Sequence, residues 1–492
     1  MAKPVLLWFR QDLRLTDNPA LQAAIERGSP IVPLFIHAPD EEAEWAPGGA
    51  ARWWQHQSLS ALDASLRSLG SRLILRSAST GAAATQRMLL QLIEETGADA
   101  VFWNRRYEPA IIARDSAIKA ALRERGVLAE SHNGALFIEP WQVQNQSGRP
   151  FQVFTPYWRH IMKTLAPPPP SPAPAEFARA ARPARWPESD PLESLGLKPR
   201  IPWYGGMASA WQPGEAGAAA RLDEFIDSAL AHYRDGRERP ASPGTSRLSP
   251  HLHHGEISPR QIWHAVARRA AQDGHPVAEW RASQFVTELG WREFAHHLLF
   301  HFPHTPLQPL RTEFEQFPWR SDASQLAAWQ RGNTGVPLVD AGMRELWHTG
   351  WMHNRVRMVV ASFLVKNLRL PWQSGARWFW DTLVDADLAA NTLGWQWSAG
   401  CGADAAPYFR IFNPVNQGER FDVEGEYVRR WVPEISRLPA KFIHAPWTAD
   451  AATLRAANVT LGDHYPKAIV DLKESRATAL EAYQSMRAVG RE

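Results

Sequence analysis

The chain has 492 residues, of which 45% are hydrophobic and 21% charged, as expected for a globular protein of roughly two to four domains. The formal net charge is +3 and the pI is near 9.0, so the composition allows a polyanionic partner without requiring one. The single cysteine, Cys401, excludes an internal disulfide and a four-cysteine zinc or iron–sulfur site.

The N-terminal segment does not have the pattern of an export signal. Its apolar run, within MAKPVLLWFRQDLR, is too short and ends in charged residues. No stretch of about twenty apolar residues predicts a membrane span. We therefore expect a cytoplasmic protein.

Short apolar runs alternate with helical patterns in the first part of the chain. Four runs predict strands, at Val5–Phe9, Ile31–Ile36, Arg72–Leu75 and Ala100–Trp103. Helical patterns follow them, as at Ala110–Arg125, and Asn18-Pro19 is typical of a helix start. The alternation predicts an α/β domain with a parallel, Rossmann-like sheet and helices on both faces, although a GxGxxG dinucleotide motif is missing.

The composition changes at a proline-rich run, Pro167–Pro170 with Pro172 and Pro174, which is typical of a surface linker. From Ala216 onward almost every segment has helical periodicity. Long amphipathic patterns occupy Ala216–Tyr233, Ser258–Gln272, Glu279–Phe300, Pro337–Gly350 and Met352–Leu368. We predict an α/β domain over residues 1–132, a linker over 133–215 and an all-helical domain over 216–492.

The most informative stretch runs from Trp351 to Asp422, where polar and ionic residues interrupt runs of Trp, Phe, Met and Leu. These residues are Asn354, Arg357, Asp385, Asp387, Asn391, Asp404 and Arg410. Burying a carboxylate or guanidinium is costly unless it has a partner or ligand. The pattern therefore favours a polar ligand site, with a core of mutually satisfied ion pairs as the alternative.

Helical spacing gathers these residues onto two faces. Glu288 and Trp291 share one face of a helix with Arg292, and Asn354 shares another with Arg357 and Met358. Such a set suits a flat, polar, aromatic ligand. The sequence contains no credible hydrolase triad, and the histidines at positions 251, 253 and 254 favour surface or capping roles over metal binding.

The segment Gly244–Ser249 offers hydroxyls, backbone N–H groups and a cation just before a helical run, as a phosphate cradle would. Ordinary helix capping is the alternative. The 24 Trp, against 20 Phe and 8 Tyr, could likewise stack on planar ligands, relay electrons or simply fill the helical core.

At these residues the chain resembles the photolyase/cryptochrome flavoproteins over essentially its full length. The motifs are LLWFRQDLRLTDNPAL, WMHNRVRM, DADLAANTLGWQW and DAAPYFRIFNPVNQGERFD. The resemblance implies non-covalent FAD, bent into a U-shape within the helical domain, and an antenna chromophore in or against the α/β domain.

Single positions within the motifs favour repair of cyclobutane pyrimidine dimers. The resemblance implies contact with the lesion for five residues, which are Glu288, Trp291, Asn354, Met358 and Trp397. Members that repair (6-4) photoproducts have histidine in place of Asn354, plant cryptochromes have aspartate in place of Asn391, and the lone cysteine excludes the iron–sulfur branch. A cryptochrome-type blue-light photoreceptor is the alternative, and a light-independent flavin oxidoreductase lacks a nicotinamide-binding signature.

Further motifs resemble the bacterial class III photolyases, namely GGAARWWQHQSL, FWDTLVDADLA and AGCGADAAPYFRIFNP. The Asn-Glu pair with which class I enzymes bind folate is missing after Tyr107-Glu108, where Pro109 follows. The class III resemblance implies methenyltetrahydrofolate stacked between tryptophans, with Trp53 or Trp54 as candidates. A buried helix face is the alternative for this pair.

The resemblance also implies roles for residues outside the lesion set. The implied FAD-binding residues are Tyr233, Thr245, Ser246, Arg247, Leu248, Ser249, Phe285, Glu288, Arg292, Asn354, Arg357, Asp385, Asp387 and Asn391. An electron relay would use Trp319, Trp372 and Trp395, and DNA phosphates would meet Arg237, Arg355 and Arg410. We expect a monomer that binds ultraviolet-damaged DNA and needs no metal.

Overall fold

The first part of the chain forms a five-stranded parallel sheet. The structure is a computed structural model that describes residues 2–78, 81, 83–175, 183, 185–405 and 410–489. The strands are β1 (Val5–Phe9), β2 (Ile31–His37), β3 (Ile74–Ser77), β4 (Ala100–Asn104) and β5 (Leu128–His132), in the order β3-β2-β1-β4-β5. All neighbouring strands are parallel, so the predicted sheet is confirmed.

The fifth strand, at one edge of the sheet, was not predicted. Its sequence, LAESH, alternates between exposed and buried residues and contains no continuous apolar run. A central strand of a parallel sheet is buried on both faces, as the fully buried β1 and β4 are, and therefore has the apolar run that β5 lacks.

Four helices cover the two faces of the sheet, α1 (Pro19–Glu26), α2 (Gly49–Ser68), α3 (Ala84–Thr96) and α4 (Pro109–Glu124). Helices α1 and α2 pack with one face, and α3 and α4 pack with the other. The side chain of Asn18 caps α1 by accepting a 3.1 Å hydrogen bond from the backbone N–H of Leu21, as the sequence predicts.

The rest of the described chain is mainly helical, as the sequence predicts from Ala216 onward. The helices are α5 (Phe154–Met162), α6 (Gly205–Ala210), α7 (Glu215–Ser228), α8 (Tyr233–Gly236), α9 (Ser249–His253), α10 (Pro259–Gln272), α11 (Val277–Arg281), α12 (Gln284–His301), α13 (Ala323–Gln330), α14 (Pro337–Thr349), α15 (Asn354–Ser362), α16 (Trp372–Thr382), α17 (Leu388–Ala399), α18 (Pro414–Phe421), α19 (Glu426–Trp431), α20 (Ala440–Ile443), α21 (Ala451–Ala456) and α22 (Leu472–Val489). None of the described helices combines the length and apolar character needed to cross a bilayer.

The segment predicted as the interdomain linker, residues 133–215, contributes to the core. Helix α5 lies within it, and the side chains of Phe154 and Tyr157 pack in the same hydrophobic cluster as Phe285 and Phe294 of α12. Periodicity over nine residues followed by a proline-rich run gave too little signal to predict this helix.

A π-helical turn over Phe363–Asn367 follows α15 directly. This turn carries the buried Lys366. The side-chain nitrogen of Lys366 donates a 2.7 Å hydrogen bond to the backbone carbonyl of Ala399, the last residue of α17. Burial lowers the pKa of Lys366 well below its ordinary value, and the hydrogen bond satisfies one of the free carbonyls at the helix C-terminus.

A polar seam joins the α/β part to the helical part. Arg14 is buried, and its guanidinium donates to the carbonyls of Gly255 at 2.9 Å and Gly134 at 2.7 Å. The buried carboxylate of Glu256 accepts from the indole N–H of Trp54 at 3.0 Å and the backbone N–H of Gly214 at 2.7 Å. Because both side chains have part of their hydrogen-bond partners across the seam, the two parts fit each other specifically.

Candidate functional site

A cavity of about 800 Å³ opens within the helical part, which is within the size range of ligand pockets. Most of the residues predicted to bind a ligand line it. They are Tyr233, Arg237, Ser246, Leu248, Ser249, Phe285, Glu288, Trp291, Arg292, Asn354, Arg355, Arg357, Met358, Asp385, Asp387, Asn391, Trp395 and Trp397. Residues from separate segments of the sequence therefore meet around one space.

Capped helix starts fix the three helices that supply most of the lining. The hydroxyl of Ser283 caps α12, His353 Nδ1 accepts from the backbone N–H of Arg355 at the start of α15, and Asp387 caps α17 through the N–H of Ala390 at 2.8 Å. Each cap fixes the residue at which its helix begins near the site. Side chains three and four positions apart along each helix therefore project into the cavity together.

The carboxylate of Asp385 is fully paired. Its side chain is 3% exposed, and Arg357 Nη2 lies 3.0 Å from Oδ1 and 2.8 Å from Oδ2. Ser249 donates a further hydrogen bond to Oδ2 at 2.6 Å, and Arg357 Nε donates to the carbonyl of Met352 at 2.7 Å. This network ties α9 and α15 to the segment before α17, so it fixes the wall of the cavity.

Asp387 is partly buried, and its neighbours favour its ionised form. Burial opposes its ionisation, but the charge of His296, at 3.4 Å, and the ring of His253 outweigh that effect and hold the pKa of Asp387 well below its usual range. Sequence reasoning missed His296. It lies one helical turn after Arg292 on α12, which is the spacing that could have identified it.

The three neighbouring histidines are not on the surface as predicted. His251 is 1% exposed, His253 7% and His254 3%. His251 contacts the carboxylate of Glu256, and His254 stacks on Trp54 with ring centroids 5.7 Å apart. Among the described residues no group of histidine, cysteine or acidic side chains could hold a metal ion. The contacts with Glu256 and Trp54 thus account for the burial of His251 and His254.

Two ion pairs lie at the mouth of the cavity. Arg237 hydrogen-bonds Glu288, and Arg355 hydrogen-bonds Glu238. The amide of Gln284 also donates to Glu288, at 2.6 Å. Carboxylates therefore hold both rim arginines in a defined place.

Aromatic and amide groups complete the lining. The ring of Trp291 stacks on Phe154 with centroids 3.8 Å apart and an interplanar angle of 9°. Trp397 lies 6.1 Å from Phe412, and the amide of Asn391 donates to the carbonyl of Ala376 at 3.1 Å. Rings held from behind in this way can present a flat face to a planar ligand.

Two of the predicted cofactor residues do not line the cavity. The backbone of Arg247 is left-handed, with φ of 52°. Its guanidinium lies between the indoles of Trp211, at 4.2 Å, and Trp351, at 4.9 Å. Thr245 lies outside the lining as well. Their contact with a ligand stays a prediction, and the guanidinium of Arg247 packs on indoles by cation–π contacts.

Trp53 and Trp54 are buried in the core and present no free ring face for a stacked ligand. They are 2% and 0% exposed. Trp53 packs on Tyr204 with centroids 6.3 Å apart, and Trp54 packs on Trp211 at 5.4 Å and on His254. The antenna contact predicted for them is therefore corrected in favour of the buried helix face.

The tryptophans predicted as a relay share one hydrophobic cluster. Trp395 and Trp372 are each 2% exposed within it, and Trp319 is partly buried against it. Trp395 also lines the cavity, while Trp319 lies 4.5 Å from Phe317. The set thus extends from the cavity wall to the edge of the cluster.

Arg410 is exposed, 6.0 Å from the ring of Phe412, and it does not line the cavity. Part of its motif, residues 406–409, lies outside the described residues.

Family models match both parts of the chain. The model described as DNA photolyase matches residues 5–175, and the model described as FAD binding domain of DNA photolyase matches residues 285–485. A deoxyribodipyrimidine photo-lyase of Agrobacterium fabrum is 48% identical over 98% of each chain. Cryptochrome-2 of Arabidopsis thaliana is 42% identical, over 99% of this chain and 80% of its own.

Solved structures are similar over the same length. A class III photolyase from Agrobacterium tumefaciens superposes with a TM-score of 0.93 at 48% identity, covering 99% of this chain and 98% of that one. A cryptochrome from Synechocystis has a TM-score of 0.87 at 29% identity, covering 98% and 99%.

Proposed function

The chain belongs to the photolyase and cryptochrome family, and we propose that it is a deoxyribodipyrimidine photo-lyase, a carbon–carbon lyase that repairs cyclobutane pyrimidine dimers in DNA in the light. The observation that carries this proposal is the composition of the cavity. Its lining includes the five residues expected to meet the lesion, Glu288, Trp291, Asn354, Met358 and Trp397. The photo-lyase at 48% identity also supports repair over the more distant cryptochromes.

The lining suits FAD. It offers hydroxyls from Ser246 and Ser249, the cation of Arg292, and the paired carboxylate of Asp385. When bound and reduced, FAD would supply an electron to the dimer on absorbing light. The protein's part is to hold the ring: Asp385 and Arg357 would fix its polar edge, and Asn391, anchored to the carbonyl of Ala376, would face its central nitrogen.

The remaining lining groups would hold the lesion. Photolyases are among the enzymes that extrude their target nucleotide from the duplex. Trp291 and Trp397 would stack against the extruded bases, Asn354 and Met358 would contact them, and Glu288 would hydrogen-bond them and act as their proton donor. The ring of Trp291 needs no rearrangement for this, because Phe154 already holds it from behind.

Arg237, Arg355 and Arg410 would bind phosphates around the lesion. Contacts to phosphate position a protein on DNA without reading the sequence, as repair at any pair of adjacent pyrimidines requires. Trp395, Trp372 and Trp319 would carry electrons from the surface to the flavin. Their shared cluster supports this order, with Trp395 at the cavity and Trp319 at the cluster edge.

We further propose a methenyltetrahydrofolate antenna, on the resemblance to class III enzymes. The crevice at the carboxyl ends of β1 and β2 holds only about 30 Å³ and is filled by ion pairs such as Arg106–Glu42, at 2.7 Å, so we place no chromophore there. The protein would act as a cytoplasmic monomer without a metal, divided as predicted into residues 1–132, 133–215 and 216–492.

The decisive experiment is repair of a defined substrate. An oligonucleotide with one thymine dimer is incubated with the purified protein under blue light or in darkness, and dimer loss is measured by chromatography. We expect loss only in the light. If dimers persist while the bound flavin is photoreduced, the protein is a photoreceptor of the cryptochrome type; turnover with a nicotinamide donor in darkness would make it an oxidoreductase.

A further inference from the structure

His296 and His297 are adjacent in α12, but the ring of His296 faces hydrogen-bond acceptors and the ring of His297 faces a donor. The Nδ1 atom of His296 lies 3.0 Å from the carbonyl oxygen of Arg292, so this nitrogen must carry a proton and donate. The Nε2 atom of His296 lies 3.4 Å from Oδ2 of Asp387. In a neutral ring that nitrogen would direct a lone pair at a carboxylate oxygen. The geometry is therefore that of a ring protonated on both nitrogens.

His297 has the reverse arrangement. Its Nε2 atom accepts a 3.0 Å hydrogen bond from the backbone N–H of Phe151, so that nitrogen must have a free lone pair. Burial lowers the pKa of His297 to about 3, assisted by the neighbouring charge of His301. The two rings thus differ in charge, although they are consecutive in sequence and both buried.

Other charges near Asp387 do not replace His296. Arg292 donates to the carbonyl of Ala135 at 2.7 Å and lies 3.8 Å from Glu293, and His253 Nδ1 is 3.9 Å from Asp387. Glu108 adds negative charge near Asp387, and Glu293, whose pKa burial raises to about 7, faces Arg292 and His296. His296 is the nearest cation that the structure gives Asp387, and the ring of Tyr107 is perpendicular to that of His296, with centroids 6.1 Å apart.

We propose that His296 is a positioning residue of the flavin site, whose imidazolium charge neutralises Asp387 and lets this carboxylate line the cavity without repelling a reduced, anionic flavin. The inference rests on the proposed function for the flavin, but the charge of His296 does not depend on it. Loss of that charge would leave the negative charge of Asp387 uncompensated in the lining. Reduction of the flavin to an anion would then become less favourable, because the two negative charges repel each other.

The charge can be measured in the unaltered protein. Proton–nitrogen NMR of the full-length chain labelled with ¹⁵N-histidine distinguishes imidazolium from neutral rings, and His296→Gln and His297→Gln assign the two signals. We expect His296 to remain an imidazolium at pH 7.5, above the ordinary histidine pKa of about 6.5, and His297 to stay neutral to pH 5. Asp387→Asn should move the His296 titration to lower pH. A neutral His296 at pH 7 would overturn the proposal.

The effect on the flavin is measured as its midpoint potential by spectroelectrochemistry. We expect His296→Gln to lower the potential and His296→Lys, which keeps the charge, to lower it less, with His297→Gln as the matched control at the wild-type value. Equal shifts in the two glutamine variants would overturn the proposal. A wild-type protein that binds no FAD would overturn the proposed function, while the NMR measurement would still decide the charge of His296.

Discussion

The guanidinium of Arg237 hydrogen-bonds the carboxylate of Glu288 at the mouth of the cavity. Burial opposes the charge on Arg237, but the attraction of Glu288 outweighs it and raises the arginine's pKa. A group proposed to bind DNA thus holds the group proposed to bind the lesion. Arrival of a phosphate at Arg237 would compete for this contact and release the carboxylate toward the extruded bases.

Replacing Glu288 by alanine should lower the repair yield per absorbed photon without releasing FAD. Loss of a hydrogen bond to a charged group costs about 1.5 kcal/mol, which corresponds to roughly tenfold in rate. The yield is measured from dimer loss at known light dose, and retained FAD from its absorbance after gel filtration. Glu288→Gln, which keeps a hydrogen-bonding group, should lose less. Release of FAD from Glu288→Ala would instead make Glu288 a cofactor ligand.

Replacing Glu238 by glutamine should tighten DNA binding, because Arg355 loses its competing carboxylate. Replacing Arg355 by alanine should weaken binding and reduce the slope of log affinity against log salt by about 0.9, the value for one phosphate contact. Both are measured by fluorescence anisotropy with dimer-containing duplex over a range of salt concentrations. An unchanged slope in Arg355→Ala would remove Arg355 from the DNA-binding surface.

Replacing Arg357 by methionine should destabilise the protein and weaken FAD retention together. Removing one partner of a buried ion pair costs roughly 3–5 kcal/mol. Arg357 is 24% exposed, so we expect about 2 kcal/mol of unfolding free energy. Arg357→Lys, which keeps the charge but not the paired geometry, should lie between the wild type and Arg357→Met in unfolding free energy and in FAD retention. Denaturant titration and FAD absorbance measure the effects, and tight FAD binding by Arg357→Met would contradict the proposed role of the pair.

Replacing Trp372 by phenylalanine should slow light-driven reduction of the flavin while leaving repair by chemically reduced protein intact. Trp372 is buried in the relay cluster but does not line the cavity. Flavin absorbance during blue illumination with an external donor gives the rate. Trp263→Phe, at a buried tryptophan of a different cluster, is the control. Equal photoreduction in the Trp372 variant and the wild type would contradict the proposed relay.

Replacing Glu293 by glutamine should remove a pH dependence of stability. Burial raises the pKa of Glu293 to about 7, although Arg292 opposes the shift. Because this folded-state pKa exceeds that of the unfolded chain, wild-type stability should fall as pH rises from about 4.5 through 7, by up to about 3 kcal/mol. Glutamine keeps an oxygen for the N–H of Phe137, so the variant should lack this fall. Urea titrations at pH 5 and pH 8 measure the difference; parallel curves would contradict the prediction.

The sequence predicts those features that depend on a single element. Buried strands such as β1 appear as apolar runs, and the faces of α12 and α15 follow from helical spacing. The edge strand β5 has no such run. The resemblance at the long motifs also predicts the fold and the flavin-binding family.

Features that depend on how elements meet were not predictable. Periodicity does not reveal that Glu288 meets Arg237 or that His296 meets Asp387, because these pairs join separate helices and segments. The left-handed backbone of Arg247, which turns its side chain between two indoles, is likewise invisible to residue spacing. Trp53 and Trp54 show the same limit, since their burial is set by residues far along the chain.

Because of the polar seam, one half of the protein should not be exchanged with that of a relative without regard to the other half. Besides the contacts of Arg14, the backbone N–H of Leu13 donates to His254 at 3.2 Å, and Asp17 pairs with Arg260 at 3.0 Å. Recombination with a relative whose seam residues differ, exchanging only the first half, would leave these charges facing unmatched partners. A chimaera should therefore inherit residues 12–17 and 254–260 from the same parent, whichever chromophore its first half is chosen to carry.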